Sequence, residues 1–199
     1  MADAGRDPEG PRDAAGRWTS RGEGISPRRL GMRLLLLSLG ILFAAALAGY
    51  LIIRSRAAVW PPPGSPELPG GLWASTAILV VLSAVLVMAV GRARAGRASE
   101  TARLLAAATP RGGAVLVAPA ANWLRIDAAP ARTLLVFGFW MLTVLHALHV
   151  LGGLLPLAIT TARAGRGRYL NDPEPVELVA NYWHFLGITW LAIFAALAM

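Results

Sequence analysis

Leu34-Leu35-Leu36-Leu37-Ser38-Leu39-Gly40-Ile41-Leu42-Phe43-Ala44-Ala45-Ala46-Leu47-Ala48-Gly49-Tyr50-Leu51-Ile52-Ile53 is a run of 20 residues without a charge. At about 1.5 Å per residue, a helix of this length reaches about 30 Å, the thickness of a bilayer's hydrocarbon layer. The run starts late for a signal peptide, which places a short apolar stretch soon after a basic start and a small-residue cleavage site behind it. It therefore reads as a spanning helix that stays in the protein. Ahead of it, residues 1–29 are polar, with Gly, Pro, Arg and Asp, and read as a disordered cytoplasmic leader.

The same reading extends outward along the chain. The Pro-rich stretch Trp60-Pro61-Pro62-Pro63-Gly64-Ser65-Pro66 admits no helix, and Trp60 sits where an interfacial aromatic belongs. Leu72 to Val90 is a second apolar run, bounded by Arg92, Arg94 and Arg97. Thr133 to Ala162 is 30 residues without an Asp, Glu, Lys or Arg, long enough to tilt or to extend past the interface. Leu178 to Met199 forms the last run and contains a single histidine, His184. Residues 103–126 are the compromised element. Arg103, Arg111 and Arg125 punctuate them, and Pro110 and Pro119 are expected to break the hydrogen-bond ladder. Their total length still suits a weak third span. The fold class is thus all-α. Residues 30–199 form one polytopic transmembrane helix bundle of about five spans, at about 32–53, 71–91, 104–125, 133–160 and 178–198.

Composition agrees with a membrane protein. Of 199 residues, 56% are hydrophobic and 15% charged, where a soluble domain carries about 25% charged residues. The net charge is +8, and all 19 basic residues are arginine. Because these arginines lie between apolar runs, they indicate topology and not nucleic acid. With five spans and the N-terminus inside, 14 arginines face the cytoplasm and 4 the other side. With four spans the split is 14 against 5. The rule places the N-terminus in the cytoplasm under either count. The chain has no cysteine, which removes disulfides, thiolate metal sites and cysteine nucleophiles.

Ionisable groups in or near the spans are few: His146, His149, His184, and Glu177 at the mouth of the last run. Such residues are functional candidates because hydrocarbon penalises them. His146 and His149 are three apart and share a helix face, as two metal ligands would. Three histidines are too few for a haem and copper core, however. Hydrogen bonding to neighbouring helices or lipid outweighs ligation. No Asp or Glu lies within a clear span to serve a proton-coupled transporter, and no phosphate-binding Gly-rich loop occurs. Gly152-Gly153 and the alanines let helices approach closely.

Two blocks carry a resemblance. Thr143-Val144-Leu145-His146-Ala147-Leu148-His149-Val150-Leu151-Gly152-Gly153 resembles the T-G-x-H-G-x-H-V-x-x-G pattern of subunit III of haem–copper oxidases. Glu177 followed by Asn181-Tyr182-Trp183-His184-Phe185 and Trp190 resembles that family's E…YWHF-x-D-x-x-W signature. Leu30-Gly31-Met32, Ser38, Phe43 and Tyr50 through Arg54 are similar to its opening helix. The resemblance covers about residues 28–199. Departures are specific: Leu39 stands for the first-helix Glu, Gly187 for the Asp after YWHF, and Ala147 for the Gly between the histidines.

The resemblance implies a five-helix subunit lacking the first two helices of the seven-helix form, in an inner or plasma membrane. It implies no catalytic residue, metal or cofactor in this chain. Haem and copper are expected in the partners, subunit I and subunit II. The complex would reduce oxygen in aerobic respiration, coupled to proton movement. This chain would stabilise subunit I and hold phospholipid. His146, His149, Glu177, Tyr182, Trp183 and His184 would order helix contacts or lipid. Two other readings stay open: an accessory chain of a quinol oxidase or nitric-oxide reductase, and a stand-alone membrane transporter.

Overall fold

The computed structural model of the chain describes residues 26–59, 71–123, 134–167, 169 and 172–198. Among these, all regular structure is helical: α1 (Pro27–Ser55), α2 (Gly71–Arg94), α3 (Ala98–Trp123), α4 (Leu134–Ala164) and α5 (Glu174–Ala198). Trp60 with its Pro-rich stretch, Arg125 and Arg132 lie outside the described residues.

α1 starts at residue 27 because the local chemistry favours it. Ser26 Oγ accepts from the Arg29 backbone N–H at 3.2 Å, and Pro27 occupies the first turn. Both are helix-start signals. Residues 27–29, read above as the end of the leader, therefore open α1; residues 1–25 lie outside the described residues. α2 ends at Arg94, two residues before Gly96, whose φ of 69° puts it in the left-handed region. Gly96 N–H donates to Ala93 O at 3.0 Å, and Arg97 N–H donates to Arg92 O at 2.9 Å. This pair satisfies the last carbonyls and turns the chain at once into α3. α2 and α3 form a tight hairpin, with the most extensive contact between any two elements.

α3 corrects one expectation. Pro110 does not interrupt it, and the helix runs for 26 residues, about 39 Å. Its inner stripe is continuous: Thr101, Leu105, Ala108, Gly112 and Val115 are all buried. Packing between α2 and α4 holds that stripe in place, which outweighs the local cost of a proline. Arg103 and Arg111 fall on the exposed face. Length and apolarity suffice for membrane crossing in four helices, α1, α2, α4 and α5, and α3 is not among them. Pro156 lies inside α4, which continues through it.

Contacts define a ring. α2 packs on α3, α3 on α4, α4 on α5 and α5 on α2. Leu82, Leu86, Leu105, Val150, Leu157 and Leu186 close its core, each with at most 1% of its surface exposed. Among the described residues α1 stands outside the ring, and its helix contacts are with α4 and α5. Its buried residues join a separate small cluster of Phe43, Tyr50, Leu142, Ile193 and Ala196, while Met32, Leu36 and Leu39 pack partly buried against the main core.

Candidate functional site

Charged groups gather where α1 and α5 begin and α2 ends. Asp172 Oδ1 accepts the Glu174 backbone N–H at 3.0 Å and caps α5. Glu174 and Glu177 then occupy the first turn, where the free N–H groups favour carboxylates. Glu177 Oε2 receives Arg29 Nη2 at 2.9 Å, and Glu177 Oε1 receives Arg94 Nε at 2.7 Å. Arg29 Nε also reaches Glu174 Oε1 at 3.3 Å, and Ser26 Oγ donates to the same oxygen. One carboxylate thus joins α1, α2 and α5. The Glu177 side chain is 14% exposed while its arginine partners are about half or more exposed. The pairing is therefore partly screened by solvent.

Deeper in the bundle, α5 is tied to α2 by two polar rungs. His184 Nδ1 and Ser83 Oγ are 2.8 Å apart, and Trp190 Nε1 donates to Thr76 Oγ1 at 2.9 Å. α5 meets α4 through aromatic rings seated on glycine. A Cβ at Gly153 would lie 2.6 Å from Tyr182 Cε1, so only glycine admits the ring there. The Tyr182 hydroxyl donates to His149 O at 2.9 Å. Trp183 sits in the same way on Gly112 of α3, where a Cβ would come within 2.9 Å.

The histidines divide. His149 Nδ1 bonds Leu145 O of its own helix at 2.7 Å. His146 is buried, and neither of its ring nitrogens has a hydrogen-bond partner. Phe43 of α1 presents itself to both, with ring centroids 6.2 Å from His146 and 5.0 Å from His149. Trp190 lies 5.1 Å from His146 on the other side. His184 faces α2 instead. Among the described residues no group of three or more His, Cys, Asp or Glu is placed to hold a metal ion.

A groove of about 430 Å³ runs along the outer junction of α2 and α5, lined in part by Thr76, Val80, Ser83, His184, Gly187 and Leu191. Its walls are mostly apolar, and the two His184–Ser83 and Trp190–Thr76 rungs lie at its floor.

No family model matches the chain. Relatives do. The chain is 30% identical over 172 residues to the cytochrome c oxidase subunit 3 of Synechocystis sp., covering 84% of this chain and 73% of that one. The chain belongs to the subunit III family of haem–copper oxidases. It is also 28% identical over 169 residues to the cytochrome bo(3) ubiquinol oxidase subunit 3 of Pseudomonas aeruginosa, covering 82% and 80% of the two chains. The cytochrome c oxidase subunit 3 of Thermostichus vulcanus is 24% identical over 172 residues, with 85% and 86% covered.

Membership gives the geometry a meaning. The two subunit III blocks, His146–Gly153 on α4 and Tyr182–Phe185 on α5, face each other, with Tyr182 bound to His149 O and seated on Gly153. Of the three substituted subunit III positions, Ala147 lies within the first block and the other two fall elsewhere. Leu39 packs half-buried against the main core, and Gly187 lines the outer groove with nothing within 4 Å of where its Cβ would be. Sequence reasoning missed Ser83 and Thr76 and used Phe43 only for the family resemblance; the partners of all three lie on other helices. It counted Arg29 and Arg94 only as topology signals. The glycine pair at 152–153 and the alanines were the packing signals it used.

Proposed function

We propose that the chain is an accessory, non-redox subunit III of a haem–copper terminal oxidase of aerobic respiration. In this role it stabilises subunit I, with subunit II in the same complex. Haem and copper reside in those partners, where oxygen is reduced with coupled proton movement. The observation that carries this reading is the mutual packing of the two family blocks. The side chains of the second block are spent on helix contacts: Tyr182 on α4, Trp183 on α3, and His184 on α2.

Further parts of the reading follow from the same physics. His146, His149, Glu177, Tyr182, Trp183 and His184 hold helices together and shape the surfaces that meet lipid. Phospholipid covers the exposed apolar faces, of which the α1 face with Leu34, Leu37 and Ile41 is a clear instance. The N-terminus is cytoplasmic, since the arginine asymmetry favours it. α3 crosses as the fifth span, its two exposed arginines offset by neighbours and by reach to the interface.

The test is to purify the full chain from its own membrane in mild detergent. Co-purification with a haem-bearing oxidase subunit is the expected result. Stoichiometric haem absorbance from the isolated chain, or the absence of any haem–copper partner, overturns it. The relative from a ubiquinol oxidase favours a second reading, a quinol-fed complex. Oxygen uptake by the purified complex with quinol against cytochrome c as donor distinguishes the two.

A further inference from the structure

The centre of the ring encloses a small space bounded by all four helices: Ser75 of α2, Val115 and Leu116 of α3, Thr143 and His146 of α4, and Trp190 of α5. Its volume is about 10 Å³, roughly the room that one water molecule needs. His146 is 3% exposed and lines it with neither ring nitrogen bonded to any group of the protein. A buried imidazole left in this state is costly, because desolvation of its polar atoms is uncompensated.

The donor and acceptor balance of the walls narrows the occupant. Ser75 Oγ donates its proton to Gly71 O at 3.0 Å, and Thr143 Oγ1 donates its own to Phe139 O at 2.7 Å. Each hydroxyl has therefore only lone pairs left to offer. The Trp190 N–H is already given to Thr76. The space thus presents two acceptor oxygens and an imidazole edge, with no carboxylate to favour a metal ion. A single heavy atom bearing two protons and a lone pair matches it. We propose that this space is a binding site for one water molecule, which donates to Ser75 Oγ and Thr143 Oγ1 and accepts from a His146 ring N–H. Three hydrogen bonds are the usual complement of a buried water. The site lies in α2–α5 alone and stands apart from the assignment to an oxidase complex.

The test is a cryo-EM map of the full chain, purified from its own membrane with whatever accompanies it, at a resolution that shows ordered water. The expected result is one density peak within about 2.7–3.2 Å of a His146 ring nitrogen, Ser75 Oγ and Thr143 Oγ1. A map that resolves other buried waters but no peak here overturns the proposal. So does a His146 ring turned onto a protein partner. In the doubly substituted Ser75→Ala, Thr143→Val chain the peak is expected to be lost, and its persistence also overturns the proposal. If that variant does not fold, the map of the natural chain decides.

Discussion

Helix α1 and the ring of α2–α5 are both apolar, yet they are held by different means. Within the most apolar stretch of each helix, 17% of α1 is buried against 33% of α2 and 39% of α5. The ring closes on itself through interlocking leucines and through aromatic rings seated on glycines. α1 is fastened at a few points. Arg29 and Ser26 hold its start to α5, Phe43 and Tyr50 hold its middle, and Arg54 Nη1 donates to Ala196 O at 3.1 Å near its end. In lipid, leucine gains little by leaving hydrocarbon for protein, so close packing and polar contacts decide attachment. A helix rich in leucine is therefore not thereby a helix well attached.

Five substitutions test this contrast, from the largest effect to the smallest. Leu86→Ala removes a side chain with 0% exposure from the ring, and a loss of about 2 kcal/mol or more is expected. Reversible unfolding of the full chain in mixed detergent and SDS measures it. Gly153→Ala forces a Cβ to within 2.6 Å of the Tyr182 ring, at a cost of about 1–3 kcal/mol. Gly138→Ala makes a similar clash, 2.7 Å from Tyr50 Cδ2. It is expected to free α1 while the ring's unfolding midpoint stays near that of the natural chain. Because the chain has no cysteine, an Ala46→Cys background gives a unique thiol on α1, and its labelling rate reports the release.

Glu177→Gln unties Arg29 and Arg94 together. About 1 kcal/mol is expected, since the arginines are well exposed. In the Ala46→Cys background with Glu177 intact, rising salt should shift thiol labelling in the same direction. Leu37→Ala, on the outer face of α1 with its residue 62% exposed, should change stability by less than about 0.5 kcal/mol. If Leu37→Ala costs as much as Leu86→Ala, burial in the ring and exposure on α1 do not have the unequal weights argued for them.

The long helices were legible because apolar length is a property of one segment at a time. The two histidines on one face of α4 were legible for the same reason. Contacts between segments were not. Nothing in the spacing of His184 points to Ser83 rather than to a residue of α4. Arg29 and Arg94 were counted for orientation, and their shared carboxylate emerged only when α1, α2 and α5 came together. The prolines of α3 misled because local propensity was weighed without the flanking helices. Gly153 was recognised as a small packing residue, but not Tyr182 as the ring it admits.

The order in which the helices are made gives the ring and its outlier another significance. α2 and α3 are neighbours in sequence and partners in space, so this hairpin can close soon after α3 emerges. If α3 crosses the bilayer as proposed, its arginines and prolines are then never alone in lipid for long. α1 is made first, but its partners α4 and α5 come last. During that interval it has to remain in the bilayer unaided. Its 20-residue uncharged run is thus what a helix needs to wait in hydrocarbon for helices that do not yet exist.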